Sequence, residues 1–123
     1  MPTACLAFIL LILGSLHVRD SIAAPTGGEL LRACESSLAS GFKGNNGMMC
    51  EWYVTPCDCQ LIMRPDIPRV CLPESFSTEA LARRVVDGLS ANPELQTLDA
   101  DLAAGLILSQ YYSCDEDSNG GYQ

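Results

Sequence analysis

Apolar positions fall into four stretches of helical spacing, set between an N-terminal run that is apolar throughout and a tail that is polar throughout. In the first, Leu30, Cys34 and Leu38 recur every fourth residue, which marks one side of a helix. Thr26-Gly-Gly-Glu29 gives it capping-box spacing: Thr26 is placed to accept from an early amide and Glu29 to reach back. The pattern predicts a helix over 27–39, ended by Gly41, and Gly44-Asn-Asn-Gly47 reads as turn chemistry that reverses the chain. Met48 to Thr55 forms the second stretch, cut by Pro56, and predicts a short or kinked helix. Trp52 and Tyr53, at helical spacing beside Cys50, read as core. Three prolines and no sustained period between Cys57 and Pro73 predict an irregular connection held down by cysteines.

The third stretch is the clearest. Ser77 is an N-cap, Glu79 lies in the first turn, and Phe76 is placed to staple onto Leu81. Leu81, Val85 and Leu89 form the stripe, with Ala82 and Val86 beside it, until Asn92-Pro93 stops the helix. Thr97 or Asp99 caps a last helix with Leu102, Leu106 and Ile107 inward and Tyr111 and Tyr112 at its end; adjacent residues straddle faces, so at most one tyrosine is fully buried. Gly105 costs that helix about 1 kcal/mol relative to alanine, which points to close helix packing there. The expected fold is all-α, a small disulfide-stapled bundle of about four helices.

Ala4–Leu13 is apolar but too short to span a bilayer, and small residues follow it, so residues 1–23 read as a signal peptide with Ala24 as the mature start. Residues 24–114 then form the helical domain and 115–123 a flexible polar tail, with no membrane span after the leader is removed. Removal takes away Cys5 and leaves Cys34, Cys50, Cys57, Cys59, Cys71 and Cys114. An even number of cysteines in an exported chain reads as a disulfide framework, which places the protein in the periplasm or outside the cell. An antiparallel third and fourth helix would bring Cys71 and Cys114 to one pole, and the hairpin of the first two would face Cys34 toward Cys50. Closing these loops restricts the unfolded chain by about 4 and about 3 kcal/mol respectively. The pairing of Cys57 and Cys59 stays open, because a bridge across one intervening residue bends both backbone and torsion.

His17, the one histidine, leaves with the leader. No Cys/His zinc site and no Ser-His or Cys-His catalytic pair can then be built, so the reading is no enzyme, no metal and no cofactor. Net charge is −8, and losing Arg19 and Asp20 together does not change it. Phosphate backbones and anionic lipids would be repelled, which excludes nucleic acid and favours a basic or neutral protein partner.

Leu30-Leu-Arg-Ala-Cys34, Gly47-Met-Met-Cys50-Glu-Trp-Tyr-Val54, Cys71-Leu-Pro73, the segment from Phe76 to Leu89 with Asn92-Pro-Glu94, Ala104-Gly-Leu106 and Tyr111-Tyr-Ser-Cys114 together resemble the Rap/Tai family of type VI secretion amidase immunity proteins. The chain departs from the family pattern at Tyr53-Val-Thr-Pro56 with the extra Cys57 and Cys59, and at Ser113. The resemblance implies a small helical periplasmic protein, commonly a homodimer, that protects a cell by occluding the catalytic groove of a secreted cell-wall amidase effector. Such inhibition needs an ordered, hydrated projection, and the loop from Asn92 to Asp101, with Glu94, Asp99 and Asp101, is the candidate partner-binding segment. Two alternatives stand beside this one. The first is a secreted six-cysteine helical carrier with a cavity of Leu, Val and Met for a small apolar ligand; the second is a structural envelope interaction module.

Overall fold

Local chemistry sets where each helix begins and ends. The computed structural model describes residues 23–56 and 64–114. Helix α1 spans Gly27–Ser40, and the Glu29 amide donates to Thr26 Oγ1 at 3.3 Å across its first turn. Gly41 ends it in the left-handed conformation at φ 75°, and the Phe42 amide reaches back to the Ser37 carbonyl at 2.9 Å, a Schellman-type ending. Ser37 is buried and satisfied, its hydroxyl donating to the Ala33 carbonyl at 2.6 Å.

Helix α2 spans Gly44–Val54, so the Gly44-Asn-Asn-Gly47 run forms its first turn and the reversal is confined to 41–43. The glycines there read as a turn from sequence, but Gly47 has a different role. A Cβ on Gly47 would lie 2.3 Å from the Phe42 carbonyl carbon and oxygen, so glycine is what lets the helix sit against the turn before it. Phe42 is itself left-handed at φ 63°, a rare conformation for a bulky residue.

Helix α3 spans Thr78–Ala91 and follows the sequence pattern closely. The Ala80 amide donates to Ser77 Oγ at 3.1 Å, and Leu81, Ala82, Val85 and Leu89 are buried. At its end the Asn92 side-chain amide donates to the Gly88 carbonyl at 2.9 Å, and Pro93–Thr97 then form a 3₁₀ turn, η1.

Helix α4 spans Ala100–Tyr111. Its inward face is rotated from the expected one: Ala100, Ala103, Ala104, Ile107 and Leu108 are buried, whereas Leu102 and Leu106 are only partly so. Small residues allow a close crossing that hydropathy alone does not report. A Cβ on Gly88 of α3 would stand 2.7 Å from Ile107 Cγ2. The tight approach at Gly105 is made by the connection and not by a helix, since a Cβ there would meet Ile67 Cγ2 at 2.3 Å.

The four helices bury one core. Leu30 and Cys34 of α1, Cys50 and Val54 of α2, Leu81, Val85 and Leu89 of α3 and Leu108 of α4 are almost wholly shielded from solvent. Burial of this kind contributes roughly 25 cal/mol per Å² of apolar surface. No strand occurs among the described residues, only the isolated antiparallel bridges Thr26–Asp99 and Val70–Ser113. The first seats the start of α1 beside the start of α4, with the Gly27 amide on the Leu98 carbonyl and the Ala100 amide on the Pro25 carbonyl, both at 2.8 Å.

Both expected disulfides form. Cys34–Cys50 ties α1 to α2 with a Cα separation of 4.9 Å. Cys71–Cys114 ties the segment before α3 to the end of α4 at 5.0 Å, helped by the Cys71 amide on the Tyr112 carbonyl at 2.8 Å. Cys57 and Cys59 lie outside the described residues.

Candidate protein-binding surface

Glu94, Asp99 and Asp101 are not one unit. Asp99 is the N-cap of α4 and Asp101 lies in its first turn, a favourable place for negative charge because the exposed amides of a helix N-terminus carry partial positive charge. Asp99 makes no side-chain cap, whereas Asp101 Oδ1 accepts from the Leu102 amide at 2.9 Å. Both acids turn toward Arg64. Its Nη1 stands 3.0 Å from Asp101 Oδ2 and 3.5 Å from Asp99 Oδ2. Its Nε and Nη2 grip Asp66 in a bidentate pair at 3.1 and 3.0 Å. One guanidinium therefore ties the connection before α3 to the beginning of α4.

The protonation equilibria reflect this arrangement. Arg64 is held above its ordinary value by the hydrogen bond to Asp66 and by the charges of Asp101, Asp66 and Asp99, outweighing partial desolvation. Burial pushes the Tyr53 phenol up, and the charges of Asp101 and Asp99 add to it. Asp66 is held below its ordinary value of 3.8, chiefly by the hydrogen bonds from Arg64. A carboxyl lowered in the folded state contributes stability above its unfolded value and loses it as pH falls through the folded value. Carboxyl-carbon NMR titration of the folded protein is expected to give Asp66 a midpoint below 3.8, and Arg64→Gln should return it toward 3.8. A midpoint at or above 3.8 in the unmodified protein would contradict the pairing.

Glu94 sits apart on η1, exposed and without a basic partner among the described residues. It borders an open cleft of about 490 Å³ between α3, η1 and α4, lined also by Asp87, Leu95, Leu106 and Ile107. Tyr111 closes one end, half exposed, with the Arg84 guanidinium 4.3 Å from its ring centroid. Asp87, Asn92, Glu94 and Gln110 share this lining with Leu95, Leu106 and Ile107, unlike the Leu, Val and Met lining that a carrier of apolar ligands needs.

Trp52 corrects a sequence expectation. It is 70% exposed, as is Met48 one turn earlier on the same face of α2, while Tyr53 takes the partly buried position. Cys50 and Val54 fill the core side of this helix, which leaves its other face free to carry large apolar groups. Neither Tyr111 nor Tyr112 is fully buried.

No sequence period links Arg64 to Asp99 and Asp101, which lie 35 and 37 residues away. Its one local signal was a cation two residues before Asp66 in a proline-rich stretch. Among the described residues, no group of three or more His, Cys, Asp or Glu side chains is arranged to hold a metal ion, and no helix is long and apolar enough to cross a membrane.

A model of the family described as Rap1a immunity proteins matches residues 26–114. Among curated proteins and among solved structures, no match is found. The matched span takes in all four helices and both bridges described above, which together with the family mark an exported, disulfide-bonded protein. The chain belongs to the family of Rap1a immunity proteins.

Proposed function

We propose that this immunity protein acts in the periplasm as a homodimer, binding a secreted peptidoglycan amidase effector and covering its active-site groove without chemistry of its own. The observation that carries the reading is the family match across the whole helical unit, 26–114. Support comes from the bundle itself. The Thr26–Asp99 bridge and the Arg64 clamp hold the start of α4 in place before any partner arrives, which lowers the ordering cost of binding. Glu94, Asp99 and Asp101 are the residues assigned to contact the effector, and blocking a groove needs only a shaped, hydrated surface that excludes substrate.

The test is capture on the oxidised mature protein from periplasmic extract and spent medium of its source, with mass spectrometry of what is retained. Recovery of a cell-wall amidase that loses its activity on peptidoglycan when the protein is added supports the reading. Recovery of a lipid or small apolar molecule with no amidase overturns it.

A further inference from the structure

Of the three acids on the 92–101 segment, two already share a cation. Asp99 and Asp101 face Arg64 at 3.5 and 3.0 Å, a cation they also share with Asp66, so an incoming basic group competes there with an internal one. Glu94 and Asp87 make no ion pair with any described residue, and both border the cleft between α3, η1 and α4. Leu95, Leu106 and Ile107 line the same cleft and supply apolar surface beside these two carboxylates. The cleft is closely packed where α3 and α4 cross, since a Cβ on Gly88 would stand 2.7 Å from Ile107 Cγ2. Arg84 already occupies the ring face of Tyr111, so the carboxylates of Glu94 and Asp87 are what the cleft offers to an incoming cation.

We propose that this cleft is an anchor site for a basic side chain of a protein partner, an arginine or lysine flanked by apolar residues. The methylene stem of such a side chain lies along Leu95, Leu106 and Ile107, and its charged head reaches Glu94 and Asp87. Long basic side chains divide in this way between apolar surface and charged groups. A net charge of −8 draws the cation in, and the apolar surface holds it locally. The inference extends the proposed function by naming the chemistry of the effector surface, but the site can be tested without the effector.

The probe is the peptide acetyl-Ala-Leu-Arg-Leu-Ala-amide, titrated into the ¹⁵N-labelled, oxidised protein, with the same peptide carrying Gln in place of Arg as control. Expected are chemical-shift changes centred on the amides of Gly88, Leu95, Leu106 and Tyr111, and much weaker changes with the Gln peptide. Asp87→Asn with Glu94→Gln should weaken binding about tenfold, as loss of two paired carboxylates implies. Glu29→Gln with Glu35→Gln removes the same charge from the exposed face of α1 and should change it less than about twofold. Shifts centred on Asp99 and Asp101, equal binding of the Gln peptide, or equal effects of the two double variants would overturn the proposal. So would cleft signals that move with protein concentration alone, which would make a second copy the occupant. Amidase capture that is unchanged by Asp87→Asn with Glu94→Gln would sink the anchor while leaving the proposed function standing; peptide binding without amidase capture would do the reverse.

Discussion

Replacing Cys71 and Cys114 by alanine is expected to lower the unfolding free energy by about 4 kcal/mol, the loop-closure entropy returned to an unfolded chain when a bridge across 43 residues is lost. Both cysteines are only partly buried, so little packing is lost with the sulfurs and the loop effect dominates. A domain of this size has a total stability of roughly 5–15 kcal/mol, and the double variant would forfeit a large share of it. Urea denaturation of both forms, compared by midpoint and slope, measures the difference. The Cys71 amide to Tyr112 carbonyl bond and the Val70–Ser113 bridge survive the substitution. A loss under about 1 kcal/mol would mean that these contacts hold the pole closed unaided and that the covalent link adds little. Cys34 and Cys50 close only 16 residues, for about 3 kcal/mol, but both are fully buried, and their removal also empties part of the core.

Gly47→Ala sets two effects of opposite sign against each other. In an isolated helix the change favours folding by about 1 kcal/mol, because alanine gives up less backbone freedom. In this protein the new methyl would lie 2.3 Å from the Phe42 carbonyl group. That contact is with backbone, in a turn where Gly41 and Phe42 are both left-handed, so no side chain can rotate away to relieve it. Overpacking of this kind costs about 1–3 kcal/mol and here must also reposition α2 against α1. The expected net result is a loss of about 2 kcal/mol, read from thermal or urea unfolding. Asn46→Ala, in the first turn of α2 beside Gly47 and exposed, should change stability by less than about 0.5 kcal/mol. A stabilised Gly47→Ala protein would mean that the turn can open without cost.

The two variants also mark the boundary of what could be read from the chain. Helix α3 was legible because three signals agree: Ser77 as cap, a stripe at Leu81, Val85 and Leu89, and a proline after Asn92. The two bridges were legible for a related reason, as antiparallel helices with short connections bring Cys34 to Cys50 and Cys71 to Cys114. The start of α2 was not. Glycine and asparagine favour turns by local preference, and only the approach of Phe42 to Gly47 reveals that the glycine is selected for space. Ile107 faces inward as its spacing predicts, but the sequence favours Leu102 and Leu106 over Ala103 and Ala104 because leucine outweighs alanine on any hydropathy scale, whereas the two alanines are the buried residues. Trp52 was placed in the core by its type, and a helix whose inner side is already occupied has no room there. The acids at 94, 99 and 101 were found as a group, but their separation into an Arg64-bound pair and a lone cleft carboxylate depends on contacts across more than 30 residues.

The order of the bridges along the chain bears on how the protein is made. Cys34 and Cys50 are consecutive cysteines, and so are Cys71 and Cys114; the two loops neither overlap nor interleave. A chain threaded N-terminus first into an oxidising compartment presents Cys34 and Cys50 together before Cys71 arrives, and α1 and α2 can pair as a local hairpin at that moment. Each correct partner is thus the next thiol to emerge. Oxidation in order of appearance gives Cys34–Cys50 directly, before Cys57, Cys59 and Cys71 emerge, so that bridge requires no wrong pairing to be broken and reshuffled by an isomerase.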